Sequence, residues 1–185
     1  MEATDTALAL PPRAPPLLDF ATIFEEQFDY VLFSLRRFGV PERDVEDVAH
    51  DVFVQVYLRL DQYDPSRPLR PWLFGFAYRV ASDYRRQVRH HVEAIGNVVD
   101  VVDPSPSAPD CLASHQAVQL VWAALNELDL DRRAVFVLHE VEGCPIPEVS
   151  RTLQIPLNTA YSRLRLAREQ FARTLHRLRA QWGGT

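Results

Sequence analysis

A chain of 185 residues with 47% apolar residues has material for one or two modest cores. Its formal charge of −5 excludes a uniformly basic nucleic-acid coat, so any phosphate-binding face must be local. There is no apolar run of membrane length and no basic-then-apolar leader, and Cys111 and Cys144 stand too far apart for a metal pair; a reduced, cytoplasmic protein without membrane insertion is expected.

Residues 1–18, with Pro11, Pro12, Pro15 and Pro16, read as a disordered tail that buries little. Helical periodicity starts near Asp19, where Phe20, Phe24, Phe28, Val31, Leu35 and Phe38 mark a stripe ending at Gly39, a C-terminal cap. In the next helix Val45, Val48, Val52, Val56 and Leu60 form an apolar stripe, and Asp44, Asp47 and Asp51 an acidic one beside it. Asp44 is the expected N-cap, with Glu46 and Asp47 favoured by the dipole in the first turn.

The segment Asp61-Gln-Tyr-Asp-Pro-Ser-Arg-Pro68 is a turn by composition, and Pro71 suits a first helical position. In the helix that follows, Leu73, Phe76, Ala77, Val80 and Tyr84 face inward, with Trp72 expected beside Phe76 in the core. Phe74, Tyr78, Ser82 and Arg85 share another face, with Arg79, Asp83 and Arg86 beside it. From Arg67 to His91 there are six arginines against one acid. Aromatic rings interleaved with arginine suit single-stranded nucleic acid, which offers a ring face and a phosphate at every nucleotide. Acidic helix, turn and aromatic-basic helix therefore make a two-faced unit, one face for a basic protein partner and the other for DNA.

Residues 92–114, with Pro104, Pro106 and Pro109, read as a flexible linker. Beyond it Val118, Val121, Leu125 and Leu128 make one stripe, and Val135, Leu138 and Val141 a shorter one ending at Gly143. A short helix from Pro145 to Leu153, a turn at Gln154-Ile155-Pro156 and a long helix from Leu157 to Arg179 follow the helix-turn-helix plan, whose second helix lies in the major groove. Gln154 is a weaker turn residue than glycine, and Ser150 fits a tight crossing. Arg163, Arg165 and Arg168 are the candidates for phosphates or base edges.

The expected fold class is all-α: a tail (1–18), a helical domain (19–91), a linker (92–114) and a helix-turn-helix domain (115–181). The first domain resembles region two of the extracytoplasmic-function sigma factors of the sigma-70 superfamily, through Asp44-Val-Glu-Asp-Val48, Asp51-Val-Phe53, Pro71-Trp-Leu73 and Asp83-Tyr-Arg-Arg86. His50 departs from the usual glutamine. The second domain resembles region four, through Leu128, Arg133, Val135-Phe-Val-Leu138, Glu142-Gly143, Glu148-Val149, Leu153, Ile155-Pro156, Thr159, Ser162-Arg-Leu164 and Ala167-Arg168. Gln154, Ala160, Tyr161 and Leu166 depart from that pattern.

The resemblance implies a sigma subunit that docks on core RNA polymerase through Asp44, Glu46, Asp47, Asp51, Val52 and Val56. It implies minus-ten contacts by Tyr63, Asp64, Arg67, Phe74, Tyr78, Arg79, Ser82, Arg85 and Arg86. It implies minus-thirty-five contacts by Asn158, Thr159, Tyr161, Ser162, Arg163, Arg165 and Arg168, and an anti-sigma protein as a further partner. No cofactor and no metal are expected: there is no phosphate-cradling glycine loop and no nucleophile paired with a base. From the residues alone three alternatives stay open: a polymerase-independent helix-turn-helix regulator, a metal-dependent enzyme built on His139, Glu140 and Cys144, and an adaptor that docks on polymerase without reading promoters.

Overall fold

The computed structural model describes residues 19–95 and 112–182, and among them all regular structure is helical. The tail and the middle of the expected linker lie outside the described residues. Three helices form the first group: α1 (Phe20–Arg37), α2 (Glu42–Tyr57) and α3 (Leu69–Ile95), with a 3₁₀ turn at Leu60–Gln62 between the last two. The second group is α4 (Leu112–Asn126), α5 (Leu130–Phe136), α6 (Ile146–Leu153) and α7 (Leu157–Trp182). A π-helical turn, Val137–Val141, extends α5.

α1 stops where its backbone turns left-handed at Gly39, φ 79°, with Gly39 N–H bonded to Arg36 O (2.9 Å) and Val40 N–H to Leu35 O (3.1 Å). That closure points Phe38 inward, edge-on to Phe74 with ring centroids 4.9 Å apart. Ile23, Val31 and Leu35 of α1 meet Val45, Val52 and Val56 of α2 and Leu73, Phe74 and Ala77 of α3 in a fully buried core. Burial on this scale contributes about 1.5–3 kcal/mol per large side chain. Phe20, Phe24 and Phe28 rim that core around Phe53, with His50 against the last two.

Three local expectations are corrected. α2 begins two residues before Asp44, with Pro41 at the cap, because proline's fixed φ suits an extended entry. Asp44 serves another end: its carboxylate accepts the Tyr84 hydroxyl at 2.6 Å, tying α2 to α3. Pro71 is the third residue of α3, still within the turn whose N–H groups lack helical acceptors. Val118 and Val121 are exposed (48% and 42%), so α4 turns a different stripe, with Ala124 and Leu125, toward α7.

The helix-turn-helix is built as its sequence pattern requires. Ile146, Val149 and Leu153 of α6 pack on Ala160, Leu164 and Ala167 of α7. The turn depends on Gln154 in the left-handed region, φ 55° and ψ 44°, which lets Ile155 N–H reach Ser150 O at 3.0 Å. Ser150 Oγ adds a bond to Ile155 O at 2.6 Å. A side chain at positive φ costs about 1–2 kcal/mol that glycine does not. Gln154→Gly is therefore expected to raise unfolding stability by about 1 kcal/mol, less the extra chain entropy glycine brings to the unfolded state, read as a later urea midpoint at unchanged slope.

Candidate nucleic-acid interface

The loop after α2 is an ordered bracket. Asp64 Oδ1 accepts Ser66 N–H (3.0 Å) and Ser66 Oγ–H (2.7 Å), and Arg67 pairs with the other oxygen at 3.3 Å. Those Ser66 bonds hold the Asp64 carboxyl below its ordinary range, with Arg67 adding to the effect. Tyr63 donates its hydroxyl to Arg67 O (2.6 Å) and rests its ring 5.0 Å from Trp72, which in turn meets Phe76 edge-on at 4.8 Å. Arg79 lies over the Phe76 ring at 4.6 Å and Arg59 at 5.8 Å. Burial, and then the nearby Arg59, push the Arg79 guanidinium below its usual value.

These groups line one open groove of about 770 Å³ between α2, the loop and α3, with α6 across its mouth. It gathers Tyr63, Asp64, Arg67 and Arg79 of the expected minus-ten set. It also includes Arg59 and Trp72, which the sequence reading left out of that set. Trp72 is half-buried, not fully enclosed as expected. Its place at the loop–helix junction, next to proline, was the available signal.

The other expected minus-ten residues lie elsewhere. Phe74 is fully buried against Phe38 and supports α3 from inside, which removes it from the DNA face. Arg85 turns back toward Phe38 O at 3.4 Å, and burial lowers its guanidinium pKa. Tyr78 donates to Asp131 Oδ1 of α5 at 2.7 Å; burial, helped by that carboxylate, pushes its phenol up to about 12. Ser82 is half-buried, while Arg86 is exposed outside the groove and pairs at 2.8 Å with Asp83, which lines it. α3 thus presents Phe76, Arg79, Val80, Asp83 and Tyr84 to the groove, one helical face round from the one expected. Large apolar Phe74 decides the rotation, because it fills the space beneath Phe38.

On α2, Glu46, Asp47 and Asp51 are exposed and Asp44 half-buried. Val52 and Val56 are fully buried and unable to touch a partner, which corrects their assignment to the docking face. The exposed apolar residues of this region are Val54 (55%), Tyr57 (63%) and Leu58 (64%). Their spacing is itself a short helical stripe, hidden in the sequence behind the longer valine one.

On α7, Asn158, Tyr161, Ser162, Arg165 and Arg168 are exposed and Thr159 is half-buried. Arg165 pairs with Glu169 and Arg168 with Glu140, each at 2.6 Å, which exposed side chains exchange readily for phosphates. Arg163 instead forms an ion pair with Asp131. His139 Nδ1 lies 2.8 Å from Cys144 O, and the buried Cys144 thiol is pushed up to about 11 by desolvation, helped by Glu148. No three His, Cys, Asp or Glu side chains among the described residues group as metal ligands, and none of the described helices is long and apolar enough to cross a membrane.

The two helical groups coincide with two family patterns: Sigma-70 region 2 matches residues 24–91, and Sigma-70, region 4 matches residues 119–171. RNA polymerase sigma factor CnrH of Cupriavidus metallidurans is 33% identical over 150 residues, covering 77% of this chain and 78% of that protein. Sigma factor NccH of Alcaligenes xylosoxydans is 30% identical over the same share of both. The ECF sigma-E factor of Escherichia coli is 26% identical over 156 residues, covering 77% of this chain and 80% of that protein. Among solved structures, CnrH in complex with the cytosolic domain of CnrY aligns with a TM-score of 0.55 at 26% identity, over 85% of this chain and 87% of that one. Sigma factor RpoE of Bartonella quintana, in complex with the anti-sigma factor NepR, shares the fold with a TM-score of 0.63 at 23% identity, over 83% and 96%. With both regions present in order and a relative matched along most of its length, this chain belongs to the sigma-70 family, as an extracytoplasmic-function RNA polymerase sigma factor.

Proposed function

We propose that this sigma subunit divides its work between the faces just described. The exposed acids Glu46, Asp47 and Asp51, with Asp44 behind them and Val54, Tyr57 and Leu58 as apolar neighbours, dock on a basic surface of core RNA polymerase. The charges set encounter rate and register, and the apolar residues hold the complex. The groove lined by Tyr63, Trp72, Arg67 and Arg79 takes the unpaired strand of the minus-ten element. A base stacked on Trp72 or Tyr63 gains about 1–3 kcal/mol, which offsets part of the unpairing cost. The N-terminal half of α7 reads the minus-thirty-five element as duplex, through Asn158, Thr159, Tyr161, Ser162, Arg165 and Arg168. Joined through one polymerase, the two weak DNA contacts reinforce each other by effective concentration. The chain acts in the cytoplasm and needs no catalytic group of its own. CnrH is solved with the cytosolic domain of CnrY and RpoE with the anti-sigma factor NepR, and an anti-sigma protein is proposed as a partner here too.

The observation that carries this reading is the aromatic run Tyr63, Trp72 and Phe76 flanked by arginines in an open groove. Its test is binding of the purified chain to core polymerase, then transcription from fragmented genomic DNA of the source organism. Discrete new start sites support the reading; binding without initiation leaves an adaptor, and tight duplex binding without polymerase leaves an ordinary regulator. Once a promoter is found, Arg165→Ala with Arg168→Ala is expected to weaken minus-thirty-five duplex binding and lower the slope of log affinity against log salt by about 2, if both touch phosphates. Filter binding across a salt series measures it.

A further inference from the structure

The tip of α7 is apolar at the end where a DNA-reading helix meets base edges. α7 begins at Leu157, and Leu157 (43% exposed) and Tyr161 (53% exposed) stand one turn apart on the same side of it. Half-buried Ile155 and exposed Pro156 precede them in the turn. One exposed leucine is ordinary on a protein surface. Here two large apolar side chains share a stripe that the core does not use, since Ala160, Leu164 and Ala167 take the buried face.

That stripe changes character along its length. Farther on it carries Arg165 and Arg168, both exposed, whose pairs with Glu169 and Glu140 are exchangeable surface contacts. Arg165 lies about 12 Å beyond Leu157, at a rise of 1.5 Å per residue. In helix-turn-helix docking the N-terminal residues of the second helix enter the major groove and contact base edges. Leu157 and Tyr161 therefore fall at base edges, and the two arginines nearer the phosphates. Tyr161 also joins Ile146 and Leu164 in lining an open hollow of about 670 Å³ that Arg165 and Arg168 border, so apolar and cationic surface are continuous.

A leucine side chain has neither donor nor acceptor. Laid against guanine N7 and O6, or the amino groups of adenine and cytosine, it strips water from polar atoms and returns no hydrogen bond. Thymine alone carries a methyl group on its major-groove edge. We infer that Leu157 and the Tyr161 ring read thymine 5-methyl groups, so that this chain selects minus-thirty-five elements with thymine, on either strand, at the two positions they meet. This rests on the reading of α7 as the minus-thirty-five helix, and it adds Leu157 to that helix as a specificity-determining residue.

The test uses holoenzyme assembled from core polymerase and the full chain, unaltered or carrying Leu157→Ala or Tyr161→Ala. Promoter-length duplexes of random sequence are selected on the unaltered holoenzyme. Each thymine of the enriched upstream element is then replaced in turn by deoxyuridine, which lacks only the 5-methyl group, and competition filter binding reads relative affinity. Two such replacements are expected to weaken binding of the unaltered holoenzyme about fourfold each, the value of one methyl-sized group removed from water. Leu157→Ala is expected to abolish one of those two penalties and Tyr161→Ala the other, as directly coupled groups do. A helix merely loosened by substitution would instead weaken every duplex alike and leave both penalties in place. The inference is overturned if no enriched thymine responds to loss of its methyl group, or if both variants keep both penalties. An enriched element indifferent to deoxyuridine sinks the inference alone and leaves the minus-thirty-five reading standing. Failure to enrich any upstream element removes that reading, and the inference with it.

Discussion

Replacing Asp47 and Asp51 together by arginine is expected to weaken binding to core RNA polymerase at least a hundredfold while leaving the unfolding midpoint almost unmoved. Both carboxylates are exposed and neither forms an ion pair among those described, so the fold loses little, within about 0.5 kcal/mol for surface changes of this kind. The partner surface proposed for them is basic. Reversal converts two attractions into two repulsions, and like charges brought together at an interface cost several kcal/mol; about 2.7 kcal/mol is already a factor of one hundred. The deficit should sit mainly in the association rate and shrink as salt is raised, because exposed charges are screened over about 8 Å at physiological ionic strength. Surface plasmon resonance at two salt concentrations measures both. Val56→Ala supplies the opposite pattern: it removes a fully buried side chain, so it should lower stability and leave the docking rate of the folded fraction alone. Unchanged polymerase affinity in the arginine double variant would remove α2 from the docking surface.

Those contrasting variants also mark how far the sequence could be read. Helix order, the Gly39 and Gly143 stops and the inward face of α6 follow from spacing and turn chemistry, both local properties. The family resemblance reached the function for the same reason, since its motifs are contiguous. What was not legible is rotation. Val52 and Val54 are equally apolar, and only packing against α1 and α3 decides that the first is buried and the second exposed. Likewise α3 carries large side chains on three faces. Phe74 turns inward because Phe38 closes over it, and this rotates Arg79 rather than Arg85 into the groove. The link from Asp131 to Tyr78 and Arg163 was the least visible, since it joins residues 53 positions apart in one direction and 32 in the other. A periodicity argument sees one helix at a time.

The second large effect is expected at Arg133, a residue 4% exposed that the sequence marks as part of the region-four pattern but gives no role. Its acceptors include Asn126 O at 2.7 Å, Leu128 O at 2.9 Å, Asn126 Oδ1 at 3.1 Å and Arg37 O at 2.9 Å. The first two are the carbonyls left open where α4 ends, so the side chain acts as a cap delivered from the next helix. Arg133→Met keeps most of the apolar stem but leaves those carbonyls buried without their charged donor. Bonds to charged groups contribute about 1.5–3 kcal/mol each, and because these share one donor they do not add; a loss of about 3–5 kcal/mol is expected. Against a total of about 5–15 kcal/mol for a small protein, that leaves part of the population unfolded at 37 °C. Arg37→Ala is the control, because it removes the ion pair with Glu142 yet leaves the Arg37 carbonyl that Arg133 binds. It should cost less, about 1.5–3 kcal/mol for one charge-assisted bond in a pair whose side chains are 20% and 17% exposed. Urea denaturation of the two variants separates the roles. A loss at Arg37→Ala as large as at Arg133→Met would mean that the ion pair, and not the capped carbonyls, holds this junction.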